Sequence, residues 1–174
     1  MKVILIYTFK ENNPQLFGKY SLNLLKISID MNSTAEKNKR KAIQNIPEIR
    51  NLTNVFLFLN KNKVDSNYLS ILKEMSTLND DTISGWLNIN SRTFRNYKKT
   101  ETQLKDNTQE HVVMLISLYK HGIDVFGNAE NFDLWLSTKN IFLDMKPPID
   151  FMDTISGIQF IDDRLTSIEY GDLA

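Results

Sequence analysis

Apolar residues fall at helical spacing through most of the second half of the chain. Leu69, Leu72 and Met75 share one side of a segment that Asp65 or Ser66 is placed to cap. Ile83, Trp86 and Leu87 repeat the spacing after Asn79 or Asp80, and Phe94 and Tyr97 repeat it after Asn90 or Ser91. The longest stripe joins Val112, Leu115, Ile116, Tyr119, Ile123 and Phe126 and predicts a helix over 108–126. Gly122 lies inside it, at a cost of roughly 1 kcal/mol relative to alanine, which marks either close packing or a weak point. Gly127 and Asn128 end this helix and cap the next, which carries Phe132, Trp135 and Leu136. A loop runs from Lys139 to Pro148 and a short turn from Asp150 to Met152. Asp153 or Thr154 then caps a last helix bearing Ile158, Ile161, Leu165 and Ile168, which Gly171 ends.

The first half is less regular. Asn54–Leu59 reads as a short core helix, and Pro47 breaks any helix before it. Lys37-Asn38-Lys39-Arg40-Lys41 is a basic run, either a helix face or a phosphate-binding arm. Val3–Phe9 is spaced as a strand with no evident mate, and Tyr20–Ile29 has helix-like apolar spacing. Met31 is an alternative start for the translated product. The apolar opening, Met1–Tyr7, is short and lacks a small-residue cleavage site, so it does not read as a signal peptide. Nearly every clear element is helical, which predicts a mainly α fold.

Composition narrows the class. Of 174 residues, 41% are hydrophobic, enough for a core, and 24% are charged. The absence of cysteine excludes disulfides and thiolate metal sites and fits a reducing, cytoplasmic setting. No apolar run reaches the ~18–20 residues that span a bilayer, so no membrane role is expected. Net charge is zero but unevenly spread. Ala35–Lys63 carries seven Lys/Arg against two Glu, and Arg92–Lys105 five against one. Asp124–Ala174 carries ten Asp/Glu against three Lys/Arg. A basic middle and an acidic end suit two different partners, or the solvated faces of one bundle.

The basic middle has a specific form. Asn88 stands where a tight turn is needed and tolerates the left-handed conformation better than most residues. Ile89 points back to the core. In the following helix Arg92, Arg95, Asn96 and Lys99 fall at i, i+3, i+4 and i+7, opposite Phe94 and Tyr97. Two short helices joined by a four-residue turn, the second with a basic, amide-bearing outer face, form a helix-turn-helix arrangement. Ser91, Arg92, Thr93, Arg95, Asn96, Lys98 and Lys99 are the candidate DNA-binding residues. Arg suits guanine, Asn suits adenine and Lys suits phosphate. A structural helix pair with a solvated charged face is the competing reading.

Catalytic signals are missing. His111 and His121 stand ten apart on one helix, outside any metal-ligand spacing, and His111 reads as a surface or half-buried residue. Asp80-Asp81 and Asp162-Asp163 are adjacent and diverge around their helices. Phosphate-cradling and nucleophile-elbow motifs do not occur. The chain is therefore expected to bind rather than catalyse, with neither metal nor cofactor.

Two blocks carry a family resemblance from about Asp65 to Ala174. One is Ile89-Asn90-Ser91-Arg92-Thr93-Phe94-Arg95. The other joins Val125-Phe126-Gly127, Phe132-Asp133-Leu134-Trp135-Leu136, Pro148-Ile149-Asp150-Phe151-Met152-Asp153-Thr154, Gly157 and Ile168-Glu169-Tyr170-Gly171. In order and spacing this resembles the Xre/MbcA/ParS family of type II antitoxins. The resemblance implies a helix-turn-helix-like N-terminal helical bundle followed by a helical toxin-binding and dimerisation domain. On it the chain divides into an N-terminal extension with the first helices (1–60), an Xre-like domain (61–106) and a toxin-binding domain (107–174). It implies a RES-type, NAD-degrading toxin or a related ADP-ribosyltransferase-like toxin as partner, a homodimer, and operator DNA bound for autorepression. A stand-alone helix-turn-helix regulator is the alternative.

The implied toxin-binding residues are Trp135, Pro148, Asp153, Thr154, Ile168, Glu169, Tyr170, Gly171, Asp172 and Leu173. Phe132, Trp135 and Leu136 also read as core. Trp135 could instead order the loop to Pro148. The tail Glu169, Tyr170, Asp172 and Leu173 offers carboxylates to the positive groups with which such a toxin holds its dinucleotide. The chain departs from the family pattern where Asp144-Met145 replace a usual Gly-Gly, where Asn88 replaces the turn glycine, and where Gln109 and His111 replace a usual Ser and Arg. Asn96-Tyr97 also stand where a second Arg often follows.

Overall fold

A computed structural model describes residue 34 and residues 37–99 and 101–171. The expected strand at Val3–Phe9, the helix at Tyr20–Ile29, the Met31 start and the tail residues Asp172 and Leu173 lie outside the described residues. The chain divides into two compact units, 1–42 and 43–174. Of the first, residues 37–42 are helical and carry the basic run; this helical stretch continues to residue 45. The second unit holds all the named helices: α1 (Leu52–Lys61), α2 (Asn67–Met75), α3 (Asp80–Trp86), α4 (Ser91–Tyr97), α5 (Asp106–Phe126), α6 (Ala129–Ser137) and α7 (Ile155–Glu169). Two single-turn 3₁₀ helices, Ile141–Leu143 and Pro148–Phe151, lie between α6 and α7. No strand occurs among the described residues, only isolated bridges pairing Asp65 with Gln103 and Asn140 with Lys146.

Asparagine starts four of these helices. The side chains of Asn51, Asn79, Asn90 and Asn128 each accept the backbone N–H three residues on, which satisfies one of the donors a helix N-terminus leaves without an internal partner. Asn79 and Asn90 thus cap α3 and α4, while Asp80 and Ser91 are the first helical residues. Thr154, not Asp153, caps α7 by accepting from Gly157 N. Ser66 stands at the start of α2 without a side-chain cap bond, and the Asp65 carboxylate instead accepts from Asn67 N.

The core is built on α5. Every residue from His111 to Tyr119 is buried, so the helix is covered on all sides rather than along the single stripe its strongest apolar positions suggest. The reason is its central position: α1, α2, α6 and α7 all pack on it. Gly122 permits one of these contacts, because a Cβ there would meet the Phe132 ring of α6 at 2.5 Å. Gly127, at φ 84°, then turns the chain into α6. In α1 only Val55 and Phe58 are buried, and Leu52, Phe56 and Leu57 remain exposed, so this is a half-embedded helix rather than a core one.

Candidate functional site

Helices α3 and α4 pack against each other across the turn at 87–90. Asn88 adopts φ 53°, the left-handed conformation expected of it. Its side-chain amide also donates to the Asp153 carbonyl at 2.9 Å, which fastens the turn to the entry of α7. A glycine at this position could not supply that bond. Ile89 is half-buried and its N–H returns to the Ser84 carbonyl. Phe94 is fully buried and Tyr97 half-buried, which leaves Arg92, Arg95, Asn96 and Lys99 exposed on the opposite face. Ser91, Thr93 and Lys98, also candidate DNA-binding residues, make contacts within the helix pair. Ser91 Oγ lies 3.2 Å from Ser84 Oγ, and Thr93 N–H donates to the capping Asn90 side chain. Lys98 Nζ donates to both Asp80 carboxylate oxygens at 2.8 Å and sits 4.9 Å from the Phe94 ring centroid. This bidentate pair clamps the end of α4 to the start of α3.

Beyond α5 the helices are fastened by buried polar groups. Asp133, on α6, accepts from Tyr119 OH at 2.6 Å and from both the backbone N–H and the hydroxyl of Thr77 at 2.7 and 2.8 Å. Three donors satisfy a carboxylate that is 4% exposed, as its burial requires. Burial and the adjacent carboxylate push the Tyr119 phenol far above its ordinary range. His111 is buried, contrary to the surface or half-buried position expected of it, and its Nε2 lies 2.8 Å from the Met152 carbonyl. Burial lowers its pKa, so the ring stays neutral and links α5 to the turn before α7.

The toxin-binding residues expected from the resemblance do not form one exposed cluster. Trp135 is half-buried, stacks on Phe132 and meets Phe126 at a tilt. Phe132 and Leu136 are fully buried, in keeping with the core reading. Pro148 is buried at the start of its 3₁₀ turn, Asp153 and Thr154 are exposed, and Ile168 is half-buried. The landmark spacing from Thr154 to Gly157 has a steric cause: any Cβ at 157 would run into the Phe151 carbonyl. Tyr170 and Gly171 are exposed at the C-terminal end of α7.

Glu169 is held within the chain. Its carboxylate lies 3.4 Å from the Arg50 guanidinium and 3.6 Å from His121 Nε2. His121 Nδ1 in turn lies 2.6 Å from the buried Asp162 carboxylate. The hydrogen bond to Asp162 is the main reason the His121 pKa is raised, against a smaller opposing effect of burial. These groups, with Glu48, Ser117, Lys120 and Asp124, line a recess of about 160 Å³. The residues leading into its Glu48–Arg50 wall are tied to α5, because Lys120 Nζ donates to the Ile46 carbonyl and Ser117 Oγ to the Pro47 carbonyl. Sequence spacing gave no sign of the His121–Asp162 pair, whose members are 41 residues apart.

The loop after α6 runs from Thr138 to the 3₁₀ turn at Pro148. It exposes Ile141, Phe142 and Met145 while burying Leu143. Asp144 and Met145 both have positive φ, 52° and 63°. A side chain in the left-handed region costs roughly 1–2 kcal/mol, less for Asp than for Met. This is the place where the resembling family carries Gly-Gly, and the backbone there has the form that glycine adopts without strain. Among the described residues no group of three or more His, Asp or Glu is placed to hold a metal ion. None of their helices is long and apolar enough to cross a membrane.

Residues 121–171 match the family model of the antitoxin Xre/MbcA/ParS C-terminal toxin-binding domain. That match supports an antitoxin role in a type II toxin–antitoxin system and a toxin protein as partner. No curated protein matches the chain.

Proposed function

We propose that this chain is the antitoxin of a type II module and neutralises a RES-type, NAD-degrading toxin without catalysing a reaction itself. The match over residues 121–171 carries the reading. In it the tail that leaves α7 covers the toxin's NAD pocket. Its carboxylates face the positive groups that would otherwise hold the dinucleotide phosphates. Arg50 and His121 fix the root of that tail through Glu169. Residues 61–106 then serve as the Xre-like domain and 107–174 as the toxin-binding domain, in a cytoplasmic homodimer.

Autorepression is the second half of the proposal. The exposed stripe Arg92, Arg95, Asn96 and Lys99 on α4 supports it. In a homodimer two such helices would read half-sites ~34 Å, or a multiple of it, apart. The same stripe would serve a stand-alone regulator equally well, so the toxin assay separates the two readings.

The test uses the protein encoded next to this chain. That neighbour should consume NAD, the full chain should block it, and a chain lacking residues 169–174 should block it far less. Full inhibition by the truncated chain would remove the tail from the mechanism, and a neighbour indifferent to the full chain would leave only the regulator. Replacing Arg92 and Arg95 together by alanine should abolish specific operator binding and spare toxin inhibition.

A further inference from the structure

The loop between α6 and the second 3₁₀ turn is a built feature. The bridge between Asn140 and Lys146 closes it. Met145 N and Leu143 N donate to the Asn140 carbonyl, Lys146 N donates to the Leu143 carbonyl, and the Asn140 side chain accepts from Phe142 N at 2.8 Å. Leu143 is 4% exposed and plugs the loop into the core. The remaining apolar side chains point the other way: Ile141 is 73% exposed, Phe142 53% and Met145 57%. Water gains nothing from three large apolar side chains, and folding gains nothing from a methionine in the left-handed region. Strain retained at an exposed apolar site is a mark of a binding surface.

We propose that Ile141, Phe142 and Met145 form an apolar anchor that seats in an apolar cleft of the toxin, whose acidic rim meets Lys139 and Lys146. The occupant follows from position, because the whole loop lies inside the stretch matched to a toxin-binding domain. Lys139 and Lys146 are exposed on either side of the apolar residues and are outnumbered locally only by apolar groups, with Asp144 the one acid between them. A two-fold pairing of this loop with a second copy would bring the lysines of both copies together, which disfavours that occupant. The inference rests on the proposed antitoxin function and adds a contact distinct from the tail.

Two variants of the full chain test it against the protein encoded alongside. Phe142→Ser combined with Met145→Ser should weaken binding by about tenfold or more, as loss of a buried apolar anchor does. Met145→Gly removes the side chain and relieves the backbone. It should raise the melting temperature and still weaken binding, a pairing of opposite effects that a purely structural residue does not give. Unchanged affinity in both variants would overturn the anchor. So would a wild-type dimer that the double variant turns into monomer with toxin affinity intact, because the loop would then be a contact between copies. If the wild-type chain itself fails to bind, the antitoxin reading falls first and the anchor with it.

Discussion

Single residues set several local choices in this fold, and their substitution has a definite sign. Asp144→Gly and Met145→Gly should each stabilise the protein, by roughly 1 kcal/mol, since glycine adopts positive φ without the steric penalty. Thermal denaturation would read this as a rise of a few degrees. Gly122→Ala should act oppositely, although alanine is the better helix former. Its Cβ would press on the Phe132 ring, and overpacking of this kind costs roughly 1–3 kcal/mol. The sequence shows Gly122 as an interruption of a helix; only the packing of α6 reveals the interruption as a seat for an aromatic ring. Asp153 teaches the reverse lesson. Asp and Thr are both good caps, so two adjacent candidates cannot be separated by residue type, and the backbone geometry awards the role to Thr154.

Among elements, helix positions in the second half were legible because apolar spacing and capping asparagines agree there. Their connections were not. Asp133 lies in an apolar run and gives no hint that it fastens α6 to α5 and to the Ser76–Thr77 segment. Asp133→Ala should strip the buried Tyr119 hydroxyl of its carboxylate partner and cost about 1–3 kcal/mol, the loss expected for one unsatisfied buried group, while the Thr77 donors, on an exposed residue, turn to water. Urea unfolding checks it, and a loss within a few tenths of a kcal/mol would contradict the network. The α3–α4 pair shows the same limit. Its turn and its basic stripe were readable from residues 88–99, but the Lys98–Asp80 clamp joins residues 18 apart and assigns one of the basic side chains to the fold.

On the scale of the molecule the two histidines give opposite pH responses. His121 has a raised pKa in the fold, so its contribution is complete below the ordinary imidazole value of about 6.5 and is lost as pH rises through the raised value. The groups facing it are Asp162 and Glu169 from α7, Arg50 and Glu48 from the preceding segment, and Lys120 and Asp124 on its own helix. The acids outweigh the bases at the shortest distances, which sets the direction. His111 has a lowered pKa, so the fold loses stability as pH falls below about 6.5 and the unfolded chain takes the proton first. Stability should therefore peak near that pH. His121→Ala should flatten the alkaline limb and leave the acidic limb in place, measured by denaturation from pH 5 to 8. A profile unchanged by His121→Ala would remove the Asp162 pairing as its origin. Periodicity placed both histidines on one long helix and assigned them no partner, because their partners arrive from residues 41 positions away.

The ties at Ile46, Pro47 and Arg50 have a practical bearing on how this protein is cut for study. A fragment beginning after Lys61 would keep every helix from α2 onward, yet it would strand the Lys120 ammonium and the Ser117 hydroxyl and release Glu169 from its cation. Trimming the front of the chain would thus loosen its far end. A fragment that starts at Ile43 keeps these bonds.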